Sequence, residues 1–326
     1  DLSKVTLHNG TQTIGQNAFY DCRNLSSVTL PESLVSIGQS AFSLCTSLTS
    51  VVVPKNIKTI ETGTFRGCSS LTNIVLPDSL VTIGESAFRG CGMSQIRIPD
   101  NVSVFGSYAF RECVNLTSVA IPKSMAHIAN GAFYGCSNMT SVTIPEGVTT
   151  IEHNAFHLCN LLSLSLPQSL TTIAGEGSST GAFSANKNLS VVVIPDNVTT
   201  IVGGAFAGCT SLKTIVFGAN VTTLGAGMLR GCTSLTEVSL PKKLTIIPNS
   251  CFLGCPALSK VILPEGLTTI EGYAFQDCSS LQTIQLPSTI RVMTRAFEGC
   301  TGLVEIEIPE GVSILDNTFM DCPNLS

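Results

Sequence analysis

Apolar positions along this chain return at a long fixed interval. One stretch places Cys22, Leu25, Val28, Leu30, Pro31, Leu34, Ile37, Gly38, Ala41 and Phe42 in an order that recurs every 22 or 23 residues. Cysteine marks the register at 22, 45, 68, 91, 113, 136, 159, 209, 232, 255, 278, 300 and 322, and the one long gap hides a unit with Asn186 in the cysteine column after Ala182 and Phe183. The chain thus holds fourteen units. Phenylalanine fills its column in all but one of them, Leu229 being the exception, and proline follows the Val-x-Leu triplet except at His8 and Gly218. Such a period across the full length predicts a solenoid in which each coil buries its apolar columns against the next.

Within a unit, alternation in Val28-Thr29-Leu30, Val142-Thr143-Ile144 and Ile306-Glu307-Ile308 predicts a short strand with two residues inward and one outward. Proline ends it, and triplets such as Pro145-Glu146-Gly147 or Pro195-Asp196-Asn197 supply a turn, because proline presets φ at the second turn position. A second brief extended piece, Val148 to Ile151, leads to the Ala-Phe segment, too short for more than a 3₁₀ or single α turn. No long helix is expected.

These units resemble the BspA-like leucine-rich repeats, whose consensus L-T-S-V-x-I-P-x-x-V-T-x-I-G-x-x-A-F-x-x-C is followed nearly position for position from Leu48 to Cys68 and from Met139 to Cys159. The common leucine-rich pattern places its Asn or Cys just after the strand, whereas the cysteine here precedes it, so the resemblance is to this subtype. It implies a β-rich solenoid, a right-handed leucine-rich-repeat superhelix of about fourteen coils with short parallel strands and 3₁₀ or single-turn helices. It also implies a surface antigen of bacteria or of protozoan parasites such as trichomonads, serving adhesion and protein binding at the host–pathogen interface.

Composition narrows the alternatives. Only 12% of the 326 residues are charged, about half the usual share, while 44% are hydrophobic, so a continuous core is expected and disorder is not. A net charge of -5 gives no basic excess for nucleic acid. No apolar run approaches the roughly 20 residues that span a bilayer, so no membrane contact is expected of this chain. The sequence opens and stops inside repeat units without polar caps, which suggests a single domain over 1–326 cut from a longer chain and a tendency to end-to-end self-association. Between Ile173 and Phe183 the spacing is stretched, and residues 174–181 are expected to form a flexible loop; they lack the lysine and following helix of a phosphate cradle.

Chemistry-bearing residues are sparse. Adjacent column cysteines carry parallel Cβ vectors, which predicts free core thiols and no disulfides, Cys251 and Cys255 being the pair to check for a local bridge. Nine Asn-x-Ser/Thr sequons, at Asn9, Asn24, Asn101, Asn115, Asn138, Asn188, Asn197, Asn220 and Asn324, fit both a glycoprotein and plain turn chemistry. Glu152, His153 and His157 do not match a zinc-helix order and are expected as exposed turn residues. No catalytic group, metal site or cofactor is expected.

Two surface features remain. Arg66, Arg89 and Arg111 follow the phenylalanine column in consecutive units and predict a basic stripe, with Glu61 and Glu85 as candidate counter-charges. The outward strand positions run Thr29, Val52, Val75, Arg97, Ala120, Thr143, Ser165, Val193, Val216, Ser239, Ile262, Gln285 and Glu307. Val52, Val75, Arg97, Val191, Val193, Val216 and Ile262 are the candidate contact residues there, with the three arginines as a secondary anion or glycan site. The expected function is that of a non-enzymatic, extracellular or cell-surface module that binds host or extracellular-matrix proteins; a cytoplasmic protein-interaction scaffold and a glycan-binding module are the alternatives.

Overall fold

The computed structural model describes residues 2–326. The chain forms two compact units, Asp1–Val148 with Asn154–Asn160, and Thr149–His153 with Leu161–Ser326. Each is a stack of coils joined by parallel strands.

In the first unit Lys4–Thr6, Ser27–Thr29, Ser50–Val52 and Asn73–Val75 build a four-stranded parallel sheet, and Ser118–Ala120 pairs with Ser141–Thr143. In the second, Val191–Val193 pairs with Thr214–Val216 and Glu237–Ser239 with Lys260–Ile262. The register is one repeat, as in Val51 opposite Ile74, so equivalent residues become neighbours. A second line of short strands runs beside the first, for example Thr150–Ile151, Thr172–Ile173, Thr200–Ile201 and Thr223–Leu224.

Each first-line strand begins one residue earlier than its alternation suggests. Its middle residue points inward, as Val51 and Val238 do, and both flanking residues face out. Thr283 and Glu305 meet only in an isolated parallel bridge, and the ladder is missing altogether at Gln95–Arg97 and Ser163–Ser165. There the run from cysteine to proline, Cys91 to Pro99 and Cys159 to Pro167, is one residue shorter than from Cys68 to Pro77, and the backbone loses pairing register. Arg97 therefore lies outside any strand, a correction to its expected place; it remains exposed and pairs with Asp78 at 2.8 Å.

The expected 3₁₀ or single-turn helices are absent among the described residues, and the Ala-Phe segment is a stack of turns. Its N–H groups alternate in direction. Ala41, Ser43 and Cys45 donate three residues back to Gly38, Ser40 and Phe42, while Ser40, Phe42 and Leu44 donate to Thr62, Thr64 and Arg66 of the next coil. Every second donor is thus taken by a neighbouring coil, which no helix allows. Two left-handed residues per coil fix the alternation, such as Ser40 at φ 54° and Leu44 at φ 63°. Where glycine does not fill these sites, the chain accepts strain of roughly 1–2 kcal/mol per residue.

Core packing follows the same register. The phenylalanine rings stack at 5.1 to 5.7 Å between centroids from Phe19 through Phe42, Phe65, Phe88, Phe110 and Phe133 to Phe156, nearly parallel and therefore offset. In the second unit Phe183 stacks on Phe206, and a second run joins Phe252, Phe275, Phe297 and Phe319.

All fourteen cysteines are free. Each column thiol from Cys45 onward donates to a carbonyl of the phenylalanine column one coil back, as Cys68 does to Phe42 and Cys136 to Phe110, at 3.1 and 3.2 Å. That carbonyl already accepts the N–H of its own coil's cysteine, so the thiol fills the second lone pair. Cys251 and Cys255 form no bridge; the Cys255 thiol instead donates to Leu229. At Asn186 the amide does related work, donating to Phe183 and accepting from the Leu161 N–H.

The insertion is no loose loop. Gly175–Glu176 and Thr180–Gly181 pair antiparallel, Ala182 donates to Ala174 at the base, and the hairpin lies on glycines of the following coils. A Cβ at Gly203 would overlap the Gly177 carbonyl, and one at Gly227 the Ser178 carbonyl. A five-residue excess is accommodated because its neighbours have given up their side chains.

Burial pushes the column thiols up, to about 12 at Cys113, Cys159, Cys209 and Cys255. These thiols stay protonated in the native state, and their contribution to stability is complete below the unfolded thiol pKa near 8.5. It is lost as pH rises toward 12, because the unfolded chain ionises first. Titrating the native protein with a disulfide reagent at pH 8 should label at most the half-buried Cys22 and Cys322, with all fourteen reacting in denaturant. Thermal midpoints should fall steeply above about pH 9. Gly227→Ala should lower the midpoint and open the 177–179 tip to protease, whereas Gly10→Ala, which meets no atom within 4 Å but also sits at positive φ, should cost only its backbone strain of roughly 1 kcal/mol.

Candidate functional site

The outward face of the first-line strands carries the candidate site. Its two columns come from the residues flanking each inward-pointing middle residue. Val52 is 65% exposed, and Val75, Val191, Val193, Val216 and Ile262 are each close to half exposed. Val191 and Val193 lie opposite Thr214 and Val216, which brings three valines of the second unit together; Val52 lies opposite Val75 in the first.

One of the columns was not apparent from the alternation. Thr214, Glu237, Lys260, Thr283 and Glu305 stand beside Val216, Ser239, Ile262, Gln285 and Glu307, so the surface of the second unit mixes aliphatic, hydroxyl and charged groups. Three hollows of 640, 580 and 440 Å³ follow one another along this face. The first two share Lys260 and Ile262, and the last two share Thr283, Gln285 and Leu286, so together they form one groove.

The 640 Å³ hollow lies where the repeat departs from its pattern. Phe217 and Gly218 replace the usual aliphatic residue and proline, and Gly218 packs against the Pro195 carbonyl so closely that a Cβ would overlap it. Asp196 accepts the Ala219 N–H at 2.8 Å and holds the wall of this notch. Val216, Ile262 and Pro241 give an apolar lining, with Glu237, Lys242 and Lys260 around it.

The arginine stripe has a different character. Glu112 takes Arg89 on one oxygen at 3.1 Å and Arg111 on the other at 3.0 Å, so the counter-charge is Glu112 rather than Glu61 or Glu85. Burial opposes ionisation of Glu112, but Arg111 and Arg89 outweigh it and hold its carboxyl below the usual range. Arg111 also sits over the rings of Tyr108 and Tyr134, at 5.4 and 4.5 Å. Two of the three guanidiniums are thereby fixed within the surface, and Arg66 alone stands exposed.

His157 is buried and its ring lies 5.0 Å from that of Tyr134; His153 is largely covered, with Nε2 3.9 Å from a Glu176 oxygen. Neither is the exposed turn residue that the sequence suggested, because the neighbouring aromatic column covers one and the inserted hairpin approaches the other. Among the described residues no group of three His, Cys, Asp or Glu side chains is placed to hold a metal. Four sequon amides, at Asn101, Asn115, Asn197 and Asn324, donate to backbone carbonyls of the preceding coil, which gives these asparagines a turn-fixing role of their own. No helix among the described residues is long and apolar enough to cross a membrane.

Comparison with known proteins agrees with this architecture. A leucine-rich repeat protein of Bacteroides ovatus is 31% identical, superposes with a TM-score of 0.89, and is matched over 99% of this chain and 85% of its own. A leucine-rich cell surface protein of Faecalibacterium prausnitzii is 27% identical with a TM-score of 0.55, over 94% of this chain and 87% of its own. A leucine-rich repeat protein of Eubacterium ventriosum, 24% identical with a TM-score of 0.60 over 98% of this chain and 82% of its own, shares the fold. No curated protein matches. The model of the BspA type leucine-rich repeat region matches in overlapping segments, residues 1–117, 65–177, 103–235, 176–296 and 204–326. With every coil covered, the chain belongs to the BspA-type leucine-rich repeat family.

Proposed function

We propose that this chain is a non-enzymatic protein-binding module displayed at a cell surface, where its outward strand face adheres to host or extracellular-matrix proteins. The family's fold is a scaffold for protein interaction, and the observation that carries the reading is the set of half-exposed valines and isoleucine held among hydroxyls on that face. Aliphatic groups of this kind, fixed by strands at both ends, lose little conformational freedom on binding a large partner. A surface location is supported by likeness to the Faecalibacterium prausnitzii protein, described as a leucine-rich cell surface protein.

Free cysteines are the one feature favouring an intracellular scaffold. The burial of all but Cys22 and Cys322 weakens that argument, since thiols held protonated in the core react slowly with oxidants and survive outside the cell. The arginine stripe as an anion or glycan site is the weaker alternative for binding, given how Glu112 occupies Arg89 and Arg111.

The purified 326-residue chain should bind a subset of immobilised extracellular-matrix proteins. Combining Val191→Glu, Val193→Glu and Val216→Glu should weaken that binding at least tenfold with the thermal midpoint nearly unchanged, because these side chains face solvent. Arg66→Glu should leave it within twofold. Binding no stronger than to a blocking protein, or a triple variant equal to the parent, would exclude the outward face as the adhesive surface. Antibody staining of unpermeabilised source cells checks the location.

A further inference from the structure

The groove on the second unit has a chemical polarity that narrows what fits it. Its notch end is apolar, with Val216, Phe217, Pro241 and Ile262, and the charges around it balance, Lys242 and Lys260 against Asp196 and Glu237. The far end is lined by Glu305 and Glu307 with Thr283, Gln285 and Ser288, and no basic residue lines that hollow. Glu265 adds a further carboxylate to the middle stretch. Neither Glu305 nor Glu307 has a salt-bridge partner among the described residues. Like charges two residues apart on one face repel, and the arrangement is relieved when a cation binds between them.

We infer that this groove receives an extended peptide segment of a partner protein, with an aliphatic or aromatic side chain in the notch beside Gly218 and basic side chains against Glu305 and Glu307. The inference rests on the protein-binding reading above and specifies its partner. Val216 and Glu307 stand four coils apart, so the two ends are separated by roughly 19 Å at about 4.8 Å per strand step. An extended chain covers that distance in about six residues at 3.3 Å each. The aliphatic floor favours a peptide over a sugar, which would seek exposed aromatic rings; Phe217 is the one aromatic residue lining the groove and is half-buried.

The test is selection of a random dodecapeptide library, displayed on phage, against the whole chain. Enriched peptides should combine an apolar residue with Lys or Arg five to seven positions away. Synthetic versions should bind the double variant Glu305→Lys, Glu307→Lys at least tenfold more weakly. Ser239→Trp, which fills the groove beside the notch, should weaken them similarly while the circular dichroism spectrum and thermal midpoint are kept. Selection on the charge-reversed variant should switch the far-end preference to Asp or Glu. No enrichment, enrichment without the spaced pair, or peptides indifferent to both variants would overturn the proposal. Binding of matrix proteins by the same preparations is scored separately: if it persists while peptide selection fails, the groove proposal falls and the adhesive reading stands.

Discussion

The structure depends on a single backbone constraint, that each coil has the length at which its N–H groups meet carbonyls of the adjacent coil. In the strands this gives a parallel ladder with a one-repeat register, and in the Ala-Phe segment it gives donors that point alternately along their own turn and into the next coil. Buried backbone groups left unpaired would each cost on the order of 1–3 kcal/mol, so the register is enforced coil by coil. Where the run from cysteine to proline loses one residue, at Cys91 to Pro99 and Cys159 to Pro167, the first-line strand disappears, and at the first of these the phenylalanine and cysteine columns carry on through Phe110 and Cys113.

Cysteine is explained by the same accounting of lone pairs. A phenylalanine-column carbonyl that accepts the N–H three residues on still has room for one weak donor from the next coil, in an apolar corner that a sulfur atom fills more fully than a hydroxyl oxygen and where a strongly hydrated hydroxyl would cost more to bury. The thiol fits on both counts. Asn186 shows what a larger polar group must do in that place: its amide turns to Phe183 and its oxygen takes a backbone donor, so the fully buried side chain has both functions met. The ladder of thiols is thus a packing device, and its spacing says nothing about redox chemistry.

Much of the fold was legible because the repeat reports on inward-facing positions, which packing holds to one residue type. The phenylalanine stack, the parallel strands and the buried cysteines all follow from columns visible in the sequence. The turn stack did not, because a short Ala-Phe segment offers the same local signals as a 3₁₀ turn and only hydrogen bonds to the next coil distinguish them. The strand offset by one residue was missed for a related reason: inward Val28 and Leu30 bracket Thr29, while pairing by the neighbouring coil begins at Ser27. Docking of the hairpin depends on Gly203, Gly204 and Gly227, which lie 22 or more residues beyond its second strand and become relevant only once coils are stacked. Among the candidate contact residues, Val52, Val75, Val193, Val216 and Ile262 stand on the outward face as their column implied, whereas the grouping of Arg89 and Arg111 around Glu112 required side-chain geometry.

The outward face obeys a looser rule, and recognition chemistry can reside there for that reason. A residue flanking the inward position of each strand contributes little to the core, so successive coils are free to carry Val216, Ser239, Ile262, Gln285 and Glu307 in one column without disturbing the register. Stacking then converts sequence separation into adjacency, and residues one repeat apart act on the same few ångströms of a partner. A solid sheet of such columns would be nearly flat. Phe217 and Gly218, in place of the usual aliphatic residue and proline, line the hollow at the groove's apolar end, so a local exception to the repeat contributes to the relief of that surface.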